Sequence, residues 1–228
     1  LLTLGSWHLL QVAQEERDRA LFAERAREIA SHLQTRLTDD EQVLRGAVGL
    51  FAADERVSRD DWRRYLSTLR LGETFPGIQG VGFSRWIPAP DRDAVIREVR
   101  AEGFPEFSIR PPGEREAYTA IVYLEPFDWR NQRAFGYDMF SEPVRRAAME
   151  AARDSGDVRL SGRITLVQET DRDRQAGFLM YLPVYRREVG GGGKAPDRIV
   201  RNLNQRHVGA HGITHGALVG DRKACREM

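Results

Sequence analysis

The residues best suited to chemistry are sparse, and their spacing limits what they could do. His207, His211 and His215 recur at every fourth position, a pattern that on a helix would align three imidazoles toward one metal ion. Gly209, Gly212 and Gly216 oppose that helix by up to about 1 kcal/mol each, so the pattern reads as a His-rich tail and not as a metal site. His8 and His32 fall in an N-terminal helical stretch and every other His in the tail, so nucleophile-and-base chemistry is poorly supplied. The carboxylate pairs Glu125/Asp128 and Asp138/Glu142 have a spacing that acid–base catalysis could use. Carboxylates are so common here, however, that surface or salt-bridged roles account for them. A Gly-Lys-Ser/Thr phosphate loop is missing, and Gly80 and Gly82 lie inside a strand-like run, not at a strand-to-helix turn. The residues predict a protein that is not an enzyme, with no catalytic residue, no cofactor and no metal. Asp138 stands apart because it lies between the aromatics Tyr137 and Phe140. A carboxylate desolvated there needs donors, either from a bound ligand or from an arginine such as Arg133 or Arg145. Both readings fit the sequence.

The elements that would hold these residues follow from apolar periodicity. Leu1 to Leu10 is apolar but only half as long as the ~20 residues that cross a bilayer. It fits either the start of an amphipathic helix or the outer end of a transmembrane helix that begins before Leu1, and Trp7 suits a membrane interface. From Glu15 to Ala53 no proline occurs, and Phe22, Ala26, Ile29, Leu33, Leu37, Leu44, Val48 and Phe51 mark one face of a long helix. That stripe is expected to pack on another helix or on the domain body, a two-chain coiled coil being one way to do so. Ser58-Arg59-Asp60-Asp61 reads as a helix start, and Phe75-Pro76-Gly77 as the turn that closes that helical region.

Strands and helices then mix. Ile78 to Ile87 predicts a strand, Val95 to Val99 a short helix, Phe107 to Arg110 a short strand, and Tyr118 to Leu124 a central strand covered on both faces. A helix over 142–154 starts at Ser141 and should bury Val144, Ala147, Ala148 and Ala151. Val158, Leu160, Gly162, Ile164 and Leu166 alternate as one half-buried strand, and Ala176 to Tyr185 is the last strand. The result is an α+β domain with an antiparallel sheet and flanking helices, preceded by a long N-terminal stalk helix.

Composition sets the outer bounds. With 228 residues and 41% hydrophobic content the chain can bury a genuine core. A net charge of +1 gives no global argument for nucleic acid, and none is expected as a partner. A single Cys excludes intrachain disulfides. All twenty aromatic residues precede Arg186, and Gly190 to Gly193 is an unbroken glycine run. Residues 188–228 are therefore expected to be an unstructured, truncated or aberrant tail.

The order of motifs from Phe75 to Tyr185 resembles the CHASE family of sensor domains. The resemblance rests on Phe75-Pro76-Gly77-Ile78-Gln79-Gly80-Val81-Gly82-Phe83, Glu114-Arg115 with Tyr118, Tyr123-Leu124-Glu125-Pro126 and Gly136-Tyr137-Asp138. It continues through the helix from Pro143 to Gly156 and through Leu160-Ser161-Gly162, Ile164 to Gln168 and Gly177 to Tyr185, covering roughly 44–187. It implies a PAS-like fold held outside a membrane, related to the sensor domains of cytokinin receptors. It further implies residues 1–10 as the remnant of a transmembrane helix, 11–74 as the stalk, 75–187 as the sensor lobe and 188–228 as the tail.

The function this implies is ligand sensing for a signal-transduction receptor whose cytoplasmic part is a histidine kinase or nucleotide cyclase. The domain would face the periplasm at a bacterial inner membrane, reached through the N-terminal helix, with a homodimer possible through the stalk. Its partner would be a small molecule that the sequence does not name. By resemblance to the cytokinin-binding branch, Asp138 is the carboxylate that recognises an adenine ring, and Leu160 and Thr170 fall at two further ligand positions. A protein-interaction or scaffold module outside the membrane is the alternative, and a hydrolase the least favoured.

Overall fold

A computed structural model describes residues 2–54, 56–167, 176–185 and 211–215. The chain divides into two units, Leu1–Gln42 and Val43–Met228. The first is helical from Leu2, the start of α1 (Leu2–Ala53). Its apolar residues Leu21, Phe22, Ile29 and Leu33 are exposed, and Arg–Glu pairs such as Arg19–Glu15 and Arg25–Glu28 line its surface. Among the described residues no helix is long and apolar enough to cross a membrane.

The second unit is mixed helix and antiparallel sheet. The last turns of α1 bury Val43, Leu44 and Ala47. Helix α2 (Arg59–Thr68) begins where the sequence predicted, in a capping box in which the Ser58 hydroxyl accepts from the Asp61 backbone N–H and Asp61 returns a bond to the Ser58 N–H. A short α3 (Leu71–Thr74) leads into β1 (Val81–Pro88), which is followed by α4 (Arg92–Ala101) and β2 (Ala117–Glu125). Helix α5 (Pro143–Ser155) is capped by the Glu142 carboxylate on the N–H groups of Val144 and Arg145, and ends at Gly156 in the left-handed conformation. Four short strands complete the order: β3 (Arg159–Leu160), β4 (Ile164–Thr165), β5 (Ala176–Gly177) and β6 (Met180–Val184). A fifth, β7 (His211–His215), lies in the segment expected to be outside the fold.

The main sheet runs β2-β1-β7-β6-β3, antiparallel throughout, with β4 and β5 as a separate two-stranded sheet. Two expectations change here. Strand β7 pairs with β1 on one side and β6 on the other, so the idea that residues 188–228 stand outside the fold fails at these five residues. Ladder hydrogen bonds from two neighbours outweigh weak local propensity, which is how a glycine-containing segment becomes the middle strand. As a strand, His211 and His215 are roughly 13 Å apart along the backbone, so the helical spacing that suggested a metal site does not exist there; His207 lies outside the described residues. Strand β2 is buried on both faces as predicted, but it is the end strand of the ladder and not a central one.

Val158 to Leu166 also splits. Arg159 and Leu160 pair with Tyr181 and Met180, whereas Ile164 and Thr165 pair with Gly177 and Ala176. Between them the Ser161 N–H donates to the Leu179 carbonyl at 2.7 Å, and its hydroxyl accepts from the Leu179 N–H at 2.8 Å. Ser161 thus replaces a ladder step and lets the chain change sheets.

The two faces of the main sheet are covered differently. Phe83 and Tyr123 point to the face covered by the end of α1 and by α2, where Phe51 stacks on Phe83 at 4.4 Å and Trp62 sits 6.4 Å from Phe83 and 6.2 Å from Tyr123. The opposite face carries Ile121, Leu124 and Tyr181, which share one core with Met139, Phe140, Ala148, Met149, Ile164 and Leu166. This α5 side holds the polar groups described next.

Candidate functional site

The segment from Gly136 to Asp138 runs along the free edge of β2. The Gly136 N–H donates to the Ile121 carbonyl at 2.9 Å, the Ile121 N–H to the Tyr137 carbonyl at 3.1 Å, and Arg110 brackets the segment from the other side through its N–H and carbonyl. Gly136 has φ +80°, and a Cβ there would stand 2.2 Å from the Ser108 carbonyl oxygen, so the close approach needs glycine. This packing fixes the direction of the Asp138 side chain.

Asp138 is fully buried. Its Oδ1 accepts from the Thr119 backbone N–H at 2.8 Å, from the Thr119 hydroxyl at 3.3 Å and from the Phe140 N–H at 3.1 Å. The Thr119 hydroxyl oxygen in turn accepts from the Phe140 N–H at 2.9 Å. Oδ2 has no hydrogen bond and faces Arg115 Nη1 at 3.4 Å. The ion partner is therefore Arg115, neither Arg133 nor Arg145: the Arg133 guanidinium lies over the Trp129 ring at 5.2 Å, and Arg145 donates to the Thr165 carbonyl. Arg115 spreads its charge further onto the carbonyls of Pro111 and Gly113, each at 3.4 Å.

Helix α5 presents Arg145, Ala148, Met149 and Ala152 to the core, and leaves Val144 exposed. The buried face is thus rotated from the one expected through Val144, Ala147, Ala148 and Ala151. The rotation carries a guanidinium into the interior. Arg145 Nη2 donates to the Thr165 carbonyl at 2.9 Å, Nη1 approaches only the Met139 sulfur at 3.6 Å, and Nε has no hydrogen-bond partner. The Glu142 carboxylate is 3.8 Å from Nε and is already bonded to two N–H groups of its own helix. The Tyr137 ring lies under the guanidinium at 4.9 Å. Next to it, Arg146 turns to the Phe140 carbonyl through Nε and Nη2.

The sheet contributes two more polar groups to this side. Ser84, fully buried and opposite Ile121, has an Oγ without a hydrogen bond. Tyr181 on β6 is buried, and its hydroxyl likewise has no partner. Burial pushes the Tyr181 phenol well above its ordinary range; the Arg145 guanidinium opposes that rise, while Glu142 and Tyr137 add to it. Among the described residues, Ser84, Asp138, Arg145 and Tyr181 are thus buried with a side-chain atom that makes no hydrogen bond, the Asp138 atom being the one that faces Arg115. Trp86, edge-on to Phe140 at 5.2 Å, supplies aromatic surface beside them.

Of the residues singled out from sequence, Asp138 belongs to this group. Leu160 is exposed on the end strand β3, and Thr170 lies outside the described residues. Sequence reasoning missed Ser84, Arg145 and Tyr181. The steps from Arg145 to Ala148, Met149 and Ala152 contain a signal for Arg145, since they define an apolar face with one arginine on it. Nothing local marks Ser84 or Tyr181, whose burial depends on pairing with distant strands.

Fold and site together define an α+β module whose main sheet packs an aromatic-rich core containing several buried polar groups. The sequence model of the CHASE domain matches residues 55–214, and the chain belongs to the CHASE domain family. CHASE domains are extracytoplasmic sensor domains of signalling receptors and are sensory, not catalytic. The match runs from before α2 into β7, and so takes in part of the segment expected to be a tail. Comparison with curated proteins gives no match.

Proposed function

We propose that this chain is the ligand-sensing part of a membrane receptor, and that it takes a small molecule on the α5 side of its main sheet. The observation that carries the proposal is that Ser84, Asp138, Arg145 and Tyr181 are each buried with a side-chain atom that makes no hydrogen bond, in a fold whose sheet core is lined by Trp86, Phe140 and Tyr137. Unused buried polar atoms cost roughly 1–3 kcal/mol each, and a ligand that supplied their partners would recover that energy. Small-molecule sites have this composition, an apolar wall with a few convergent polar groups.

Asp138 contributes Oδ2 to recognition, its Oδ1 being committed to Thr119 and Phe140. Leu160 and Thr170 remain proposed contacts on the strength of the family resemblance. Helix α1 joins the sensor to a bacterial inner membrane with the domain in the periplasm, and relays occupancy to a kinase or cyclase outside this chain. A second copy covers the apolar stripe of Leu21, Phe22, Ile29 and Leu33. The test is thermal unfolding of the full chain against adenine derivatives, amino acids and short peptides. A ligand that binds only the folded state at a hundred times its Kd adds about 2.7 kcal/mol, a shift of several degrees. If these compounds, and small carboxylic acids with them, all leave the midpoint unmoved, the reading is overturned.

A further inference from the structure

Arg145 stands out among the described residues. It is a permanent cation, 3% exposed, and one backbone carbonyl is its only good acceptor. A guanidinium has five N–H donors. Here one is used well, one meets a thioether, which is a weak acceptor, and Nε meets nothing within hydrogen-bonding distance. The nearest carboxylate, Glu142, stands off at 3.8 Å because the N-terminus of α5 holds it. Burying a charge with so little compensation costs several kcal/mol, which an anion pairing with it would offset. Tyr181 offers an unpartnered hydroxyl from β6, the strand against which α5 packs.

Resting on the sensing reading above, we propose that Arg145 and Tyr181 form the anion-recognising end of the ligand site, and that the ligand is a carboxylate on a small apolar body. One carboxylate fits both the geometry and the charge count. Its two oxygens match the planar fork of a guanidinium, and the Tyr181 hydroxyl donates to one of them. A phosphate would bring close to two negative charges to a place with a single cation, itself 3.8 Å from the Glu142 carboxylate, since Arg146 is turned to the Phe140 carbonyl and Arg115 is paired with Asp138. The apolar body meets Met139, Phe140, Leu166 and the Trp86 ring.

The test pairs acids with their isosteric amides on the full chain. Sodium butyrate, benzoate and phenylacetate are compared with butyramide, benzamide and phenylacetamide by thermal shift and titration calorimetry at fixed ionic strength. At least one acid is expected to raise the midpoint where its amide does not. Tyr181→Phe removes only an unpartnered hydroxyl, so it keeps the fold while weakening that acid roughly ten- to a hundredfold, the worth of a hydrogen bond to a charged group. Arg145→Lys, which keeps the charge but loses the fork, weakens it further. If no acid binds while an adenine derivative, amino acid amide or other neutral compound does, this inference fails and the sensing proposal stands. If acid and amide bind alike, or if Tyr181→Phe leaves acid affinity unchanged, the inference also fails. Failure of every compound in both panels removes the two together.

Discussion

Asp138 offers the sharpest test of how binding and folding share the same residue. Replacing it with Ala removes the acceptor of the buried Thr119 N–H and of a second bond from Phe140, and leaves Arg115, about a fifth exposed, without its carboxylate. Loss of the charge-assisted bond to Thr119 is worth about 1.5–3 kcal/mol. The Arg115 pair, discounted for its exposure to solvent, adds about 1 kcal/mol, and the space left by the carboxyl group brings the total to about 3–5 kcal/mol. In a unit the size of Val43–Met228 this lowers the melting midpoint by about 6–20 °C. Asp138→Asn keeps an acceptor for Thr119 and Phe140 but turns toward Arg115 a group without charge, so its cost is smaller, about 1–3 kcal/mol. Differential scanning calorimetry of the two variants against the parent chain measures both. An Ala variant melting within 2 °C of the parent, or an Asn variant less stable than the Ala one, would refute the assignment of Oδ1 to the fold.

Two further outcomes follow from the packing. The Arg59 guanidinium ties α2 to the body, donating to the Val122 carbonyl and to Glu102, each at 2.7 Å, beneath the rings of Phe104 and Tyr123. Arg59→Met keeps the apolar stem and should cost about 2–4 kcal/mol in urea unfolding; a change under about 0.5 kcal/mol contradicts that anchoring role. Burial raises the phenol of Tyr181, and to a lesser extent those of Tyr65 and Tyr123, above the ordinary value near 10. Their contribution is complete below the unfolded value and is lost as pH rises from about 10 toward the folded values, because only the unfolded chain readily gives up those protons. Tyr181→Phe should therefore flatten the alkaline loss of stability, and an unchanged alkaline limb would show that Tyr181 is not a buried phenol.

What the sequence made legible were the signals that act within a few residues. The Ser58–Asp61 capping box, the stop at Gly156 and the apolar runs of β1 and β2 all appear where periodicity and capping chemistry put them. What it hid depends on partners far along the chain. Strand β7 has little propensity of its own and exists because β1 and β6 leave a gap one strand wide. The alternation through Val158 to Leu166 continues across Ser161, but the Ser161–Leu179 bonds send its two halves to different sheets. On α5 the alanines allow more than one buried face, and the bond from Arg145 to the Thr165 carbonyl accompanies the one adopted. Asp138 could be picked out as a buried carboxylate from its aromatic neighbours, yet its partner Arg115, more than twenty residues away, could not.

The central claim is that a ligand occupies the α5 side of the main sheet. Amide hydrogen exchange on the full chain, with and without a compound that raises the melting midpoint, tests it most directly. The account predicts slowed exchange in 139–149 and 179–184, with α4 and the Ser58 end of α2 unchanged beyond the global stabilisation. Protection confined to α2 and α4, with none around Arg145 and Tyr181, would contradict it.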